Sequence, residues 1–482
     1  MEAKTAQKGN SLALLVVMLA TFMDMVDVTI VHIALPKIQQ DLGAGYSTGQ
    51  WVVAGYSLAY ALMLVTGGRL GDIAGRRRVF VIGVAGFTLA SALAGAASSA
   101  EVLVIARIVQ GAFGGIMVPQ VMSTITTQFP PGKERMKAFG LFGAVIGIAQ
   151  VSGPLLGGVL SDYSLFGLGW RAIFFINLPI GLFALVGAFL WIRESRSDQV
   201  MRLDLVGVVL VSAASALLLY PLIQGHDLGW PTWTLVSMAA AVPVLVVFAL
   251  YERRTAFPLV PPRLFTRRSF VAGTILLFVL FSGVASFFLV LTWDLQFGLG
   301  WSPIHLALTT LGWPFGIGFT GQLANRYGQR YGRRLIGIGA AVMAVGLAAM
   351  SVVLDLAGTE VTSWQILPCL FVSGLGMGMC VGIAVNVVLG DVPLNDAGAG
   401  SGVLNSLIQI GGAVGVALVG VIFFGMTDGT RDPAAFSDAA ATTLWYNVAV
   451  FALAALLSPF LPRGAVQAEE QAPVLQPVND PV

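Results

Sequence analysis

Long apolar runs separated by short polar connectors recur along the whole chain. They fall at about 11–35, 50–70, 79–99, 102–126, 138–160, 171–192, 205–224 and 233–250, then 270–292, 303–323, 335–354, 364–389, 400–425 and 442–461. About 20 apolar residues in a helix cross the hydrocarbon core of a bilayer. A segment in lipid must also satisfy its own backbone polar groups, which a helix does. The pattern therefore predicts an all-α membrane protein with fourteen transmembrane helices in a compact bundle.

The cations supply an orientation. All but four of the 26 lysines and arginines fall on one side of that alternation, among them Lys4, Lys8, Arg69, Arg76 to Arg78, Lys133, Arg253, Arg267, Arg333 and Arg463. Lys37, Arg171 and Arg431 fall on the other side, and Arg107 lies within a run. Positively charged loops stay in the cytoplasm, so both termini are expected there.

An internal repeat divides the chain. GRLGDIAGRR (68–77) returns as GQLANRYGQR (321–330), each after a span: Gly68, Leu70, Gly75 and Arg77 match Gly321, Leu323, Gly328 and Arg330, and Asn325 replaces Asp72. Duplicated halves with a site between them are the plan of alternating-access transporters. The expected organisation is a cytoplasmic N-terminus (1–10), a six-helix bundle (11–192), an inserted helix pair with polar flanks (193–269), a second six-helix bundle (270–461) and a disordered tail (462–482).

Composition agrees: 57% of residues are hydrophobic and 10% charged, with mean hydropathy +0.85, where soluble domains carry about 25% charged residues. The net charge of +2 is spread over short loops and gives no reason to expect nucleic-acid binding. The lysines of MEAKTAQKGN precede an apolar run that resembles a signal peptide, but the run continues past residue 30 without a clean cleavage pattern, so an uncleaved first span is expected. Cys369 and Cys380 would be about 16 Å apart on one helix, too far for a disulfide.

Two carboxylates stand out within the first span. Asp24 and Asp27 in FMDMVDVTIVHIALP (22–36) lie at i, i+3 and share a face. Burial penalises each charge and the two charges repel, so at least one is expected to hold a proton near neutral pH and to titrate with its neighbour as a pair. Such a pair can release a proton when its exposure changes, and it offers an anionic point to a cation. The structural alternative is that one or both acids bond helix ends or pair with Arg107, the cation placed deepest in a span.

Several motifs together resemble the fourteen-helix drug:proton antiporter group of the major facilitator superfamily, over residues 11 to 461. GGRLGDIAGRRRVF (67–80) is similar to the superfamily's loop motif, RIVQGAFGG (107–115) to a span-four motif, and GIAQVSGPLLGGVL (147–160) to the span-five motif that distinguishes exporters from importers. VDVTIVHIALP (26–36) resembles the group's span-one signature, with Asp27 at the acidic position and His32 where asparagine is usual. WRAIFFINLPIG (170–181) and DAGAGSGVLNSLIQIGGAVG (396–415) also match and are read as packing elements.

The resemblance implies roles for particular residues. Asp27, Asp24 and Arg107 would couple protons, though Arg107 is alternatively a structural arginine bonded to carbonyls. Gly68, Asp72, Gly75, Arg76 and Arg77, with Gly153, Pro154, Gly157 and Gly158, would form a conformational gate. Asp27, Asp294, Asn405, Gln409 and Trp313 would line the substrate cavity; Asp294 reads equally as an interfacial aspartate and Trp313 as part of an aromatic belt. Asn405 and Gln409 stand where some members carry acids, so no second acidic site for dications is expected. The function implied is proton-coupled export of hydrophobic or cationic drugs or antibiotics by a monomer in the cytoplasmic membrane. An exporter of a single endogenous metabolite and a proton-coupled importer are the rivals. An enzyme is not expected, because no catalytic triad, nucleotide-binding motif or metal-ligand spacing occurs; His32, His226 and His305 read as unliganded, and neither cofactor nor metal is implied.

Overall fold

The computed structural model describes residues 2–129, 132–163, 167–196, 202–392, 397–427 and 432–462. The cations Arg431 and Arg463, the start of the 396–415 motif and the tail from 463 lie outside them. So do the side chains of Lys4, Lys8, Lys133, Leu323, Asn325 and Arg330.

Among the described residues the chain is helical throughout. The first half is built from α1 (Glu2–Asp41), α2 (Tyr46–Ala74), α3 (Arg76–Gly95), α4 (Ala100–Gln128), α5 (Lys133–Asp162), α6 (Ala172–Phe175) and α7 (Asn177–Trp191). α8 (Leu205–Gln224) and α9 (Thr232–Glu252) form a pair. Then follow α10 (Arg268–Thr292), α11 (Pro303–Thr310), α12 (Gly312–Ala357), α13 (Ser363–Gly390), α14 (Ala397–Thr427) and α15 (Pro433–Leu457). α10 runs directly into a π-helical turn, Trp293–Gly298.

Thirteen of the described helices are long and apolar enough to cross a membrane, against the fourteen expected. The shortfall lies at 303–323, where a turn at Leu311 divides the expected span between α11 and the start of α12. α12 has 46 residues, about 69 Å if straight, over twice the thickness of a bilayer core. It is not straight. Gly312 packs against the carbonyl of Leu367 and Gly346 against that of Cys369, so residues that a straight helix would place roughly 50 Å apart lie at one level of α13.

The two halves meet closely at one end. Gln296 Nε2 donates to the Ile33 carbonyl at 2.8 Å, the Ile304 N–H donates to Asp162 Oδ2 at 2.9 Å, and the ring of Tyr46 stacks on Phe424 at 4.0 Å. Lys37 pairs with Asp162 at 2.8 Å at the same end. α5 touches α11 here: a side chain at Gly158 would stand 2.7 Å from the Ile304 Cα. Further along α5, Phe139, Leu141 and Ile148 are exposed, and a side chain at Gly140, Gly143 or Gly147 would meet nothing within 4 Å. One end of the molecule is therefore closed across the halves, while along the other half of α5 one face is open and Ala138, Phe142 and Val145 pack against the first-half core.

Candidate functional site

The polar centre of the first half is assembled from α1, α2, α4 and α7, with a contribution from α3. Each supplies one or two polar side chains from an otherwise apolar stretch. Asp27 and Asp24 have no exposed surface and Arg107 is 1% exposed. Arg107 Nη1 forms an ion pair with Asp27 Oδ2. The other carboxylate oxygen, Oδ1, accepts from Gln110 Nε2 and from Asn177 Nδ2, both at 2.8 Å. Asn177 also donates to Ser91 Oγ at 2.9 Å, and Ser91 donates to the Phe174 carbonyl at 2.8 Å. Arg107 is fixed in turn by Gln110 Oε1 at 2.7 Å, by the Val52 carbonyl at 3.2 Å and by the Tyr56 ring 4.2 Å from its guanidinium carbon. A buried ion pair holds only when its remaining donors and acceptors are also satisfied, and Asp27 meets that condition.

Asp24 does not. Its Oδ1 accepts from the Tyr56 hydroxyl at 2.9 Å, and its Oδ2 has no partner. Of the two readings open for the acids, pairing with Arg107 holds for Asp27; Asp24 stands apart, one turn away. His32 Nδ1 is likewise buried without a partner.

The loop between α2 and α3 has a defined geometry. Gly75 adopts φ 106°, a left-handed value that a residue with a side chain takes only under strain. Asp72 pairs with Arg76 at 2.9 Å, one turn on. The N–H of Arg77 donates to Glu194 Oε1 at 3.1 Å, and Glu194 also faces the side chains of Arg77 and Arg78 at 3.9 and 3.8 Å. Arg69 Nη1 donates to the Phe257 carbonyl at 3.0 Å, linking this loop to the segment after α9. Gly68 sits near the Pro119 ring. On α5, Gly153 and Gly157 face Thr29 and Ile30 of α1, one turn from Asp27, while Gly158 faces α11; Pro154 lies between them.

The other residues expected at the cavity belong to the second half of the chain, apart from the Asp27 cluster. Asp294 is fully buried in the π-turn, where Ser437 donates to its Oδ1 at 3.1 Å and its Oδ2 has no partner. Trp313 is packed among Phe287 and Phe288. Asn405 is exposed on α14 and donates to the Ser401 carbonyl at 2.9 Å; Gln409 is half-buried one turn on. None of these four is bonded to the Asp27 cluster.

Gln110, Asn177, Ser91, Tyr56 and Glu194 were not singled out from the sequence. Gln110 carried a signal, an amide one turn after Arg107 within an apolar run. Asn177 carried another, as the amide inside FFINLPIG.

Comparison with known proteins fits this arrangement. The sequence profile of the Major Facilitator Superfamily matches residues 17–416. The chain belongs to that superfamily. A probable actinorhodin transporter of Streptomyces coelicolor is 42% identical over 89% of this chain and 75% of its own length. The puromycin resistance protein pur8 of Streptomyces alboniger is 36% identical over 92% and 88%. The tetracenomycin C resistance and export protein of Streptomyces glaucescens is 37% identical over 85% and 75%. Among solved structures, a POT family transporter in complex with a thioalcohol-conjugated peptide superposes with TM-score 0.67 at 13% identity, over 94% of this chain and 96% of that one; this shows a shared fold. As a major facilitator protein, the chain is a transporter of the cell membrane and not an enzyme.

Proposed function

We propose that this chain is a proton-driven antiporter that exports hydrophobic or cationic antibiotics from the cytoplasm. The observation that carries the reading is the buried carboxylate pair on α1, one member ion-paired and the other not, beside the glycine-rich stretch of α5. The proposed topology has fourteen crossings with both termini in the cytoplasm: two six-helix bundles, with α8 and α9 inserted between them. The reversal along α12 supports the fourteenth crossing and the cation distribution supports the orientation. With that orientation, the closed end at Tyr46 and Phe424 faces outward, and the conformation is open toward the cytoplasm.

In the proposed cycle a monomer takes up its compound from the cytoplasmic side as the carboxylate pair gives its proton to the same side. The halves then rock about the α5–α11 contact. A proton arriving from outside displaces the compound. Exchanging one proton for a neutral compound moves one net charge, worth about 2.3 kcal/mol per 100 mV, whereas exchange for a monocation is electroneutral and is driven by the pH gradient and the compound's own gradient. Asp294, Trp313, Asn405 and Gln409 are proposed to contact the compound as the second half moves.

The three relatives named for one compound each support a second reading, export of a single antibiotic, and a transport panel spanning puromycin, tetracenomycin C and lipophilic cations separates breadth from dedication. The proton requirement is tested in inside-out vesicles. Accumulation of a fluorescent cationic dye should rise with an imposed pH gradient and collapse on adding a protonophore. Accumulation that survives the collapse overturns the antiport reading.

A further inference from the structure

The two acids on α1 have opposite surroundings. Asp27 is surrounded by donors: the Arg107 guanidinium, the Gln110 amide and the Asn177 amide occupy both of its oxygens. A carboxylate with this shell is already compensated as an anion, and protonating it would leave Arg107 buried and unpaired. Removing one partner from a buried ion pair is strongly destabilising. Asp24 has the opposite surroundings. It has no exposed surface, one neutral donor in Tyr56, an orphaned Oδ2, and no cation within ion-pairing distance among the described residues.

The titratable groups that face Asp24 are few. They are Tyr56 and Tyr60 on α2, Arg107 on α4, and Asp27 on its own helix. α7 carries no titratable residue, and neither does α5 between Leu141 and Leu160. Arg107 forms its ion pair with Asp27 and the two tyrosines are uncharged, so among the described residues no cation is paired with Asp24. Its surroundings are also closely packed: a side chain on Gly114 of the RIVQGAFGG stretch would stand 3.0 Å from Asp24 Oδ1 and 3.1 Å from the Tyr60 ring, so the glycine lets α4 lie directly against the carboxyl.

We infer that Asp24 is the proton-carrying site of this transporter, while Asp27 stays ionised as the fixed partner of Arg107. The inference rests on the antiport reading for its role in transport, and on geometry alone for where the proton resides. In chemical terms Asp24 holds its proton as a carboxylic acid in this conformation. When a cationic compound enters beside it, the O–H bond breaks, the proton leaves to the aqueous side then connected, and the carboxylate becomes the counter-ion of the compound.

Infrared difference spectroscopy on purified full-length protein tests the assignment without requiring transport. Wild type should show a protonated-carboxyl C=O band that disappears as pH rises. Asp24→Asn should lose the Asp24 part of that band. The double variant Asp27→Asn/Arg107→Gln, which removes the ion pair without stranding a charge, should keep it. A band unchanged in Asp24→Asn, or lost in the double variant, overturns the assignment; if the double variant does not fold, the Asp24→Asn spectrum decides. In the dye assay Asp24→Asn should lose the dependence on the pH gradient. A titrating Asp24 band with dye uptake indifferent to the protonophore would remove the antiport reading and leave the assignment standing.

Discussion

Asp27 and Arg107 illustrate how much one residue pair depends on its neighbours. Asp27→Asn leaves a guanidinium buried at 1% exposure with no counter-charge. The variant should lose about 3–5 kcal/mol of stability, visible as a lowered melting temperature in detergent. Asp27→Asn/Arg107→Gln should recover part of that loss; a double variant melting below the single one would show that the pair is not the unit of stability. The sequence made both partners conspicuous, because charge within an apolar run needs an explanation. It did not single out Gln110, Asn177 and Ser91, since an uncharged amide or hydroxyl costs far less than a charge in a membrane helix and so gives a much weaker signal. Nor could spacing along α1 tell which acid faces Arg107: i and i+3 share a face, and only the position of α4 separates them.

At the scale of elements, α5 shows what its glycines do. Its expected helix is present, with Pro154 inside, and the glycines near it face two different helices, α1 and α11. Gly158→Val would push a branched side chain into the Ile304 backbone and hold the closed end apart. Spin labels at Gln40→Cys and Ala434→Cys, both exposed at that end, should report a longer distance in this variant. An unchanged distance would mean that α11 yields. The helix pair α8–α9 is anchored differently, by Asp204 at the N-terminus of α8. Burial raises its carboxyl, but the Gly207 N–H, the side chains of Glu252 and Tyr251 and the Leu259 N–H outweigh burial and hold it below the ordinary range. A depressed carboxyl contributes stability above its unfolded value and loses it as pH falls through its folded value. Asp204→Ala should therefore cost about 1 kcal/mol near neutral pH, in line with other helix caps, and the deficit should shrink as the medium is acidified below the carboxylate range. Hydropathy revealed α8 and α9 as apolar runs. It did not reveal Glu194, which answers the arginines of the α2–α3 loop from a connector far along the chain.

For the whole molecule, the family and the helical class were legible from the apolar runs and the repeat, because a bilayer leaves so few solutions for a chain of this composition. The exact count of crossings was less legible. The 303–323 run reads as one span by hydropathy, yet the backbone breaks at Leu311 and continues into a 46-residue helix that doubles back. Which end is closed could not be read at all, since the same sequence must satisfy both arrangements of its halves. Closure here includes an amide on a carbonyl, an N–H on a carboxylate and a stacked ring pair, beside α14 packed along α2, where Ser406 donates to the Ala61 carbonyl at 2.7 Å.

Asp162 has a double engagement at that end. One of its oxygens holds Lys37 within the first half and the other holds the Ile304 N–H of the second. When the halves part, the lysine need not let go, so the carboxylate travels with its own half, already neutralised and aimed. Separation therefore gives up a single amide contact at this point, water can replace that contact on both surfaces, and the return stroke finds the latch still cocked.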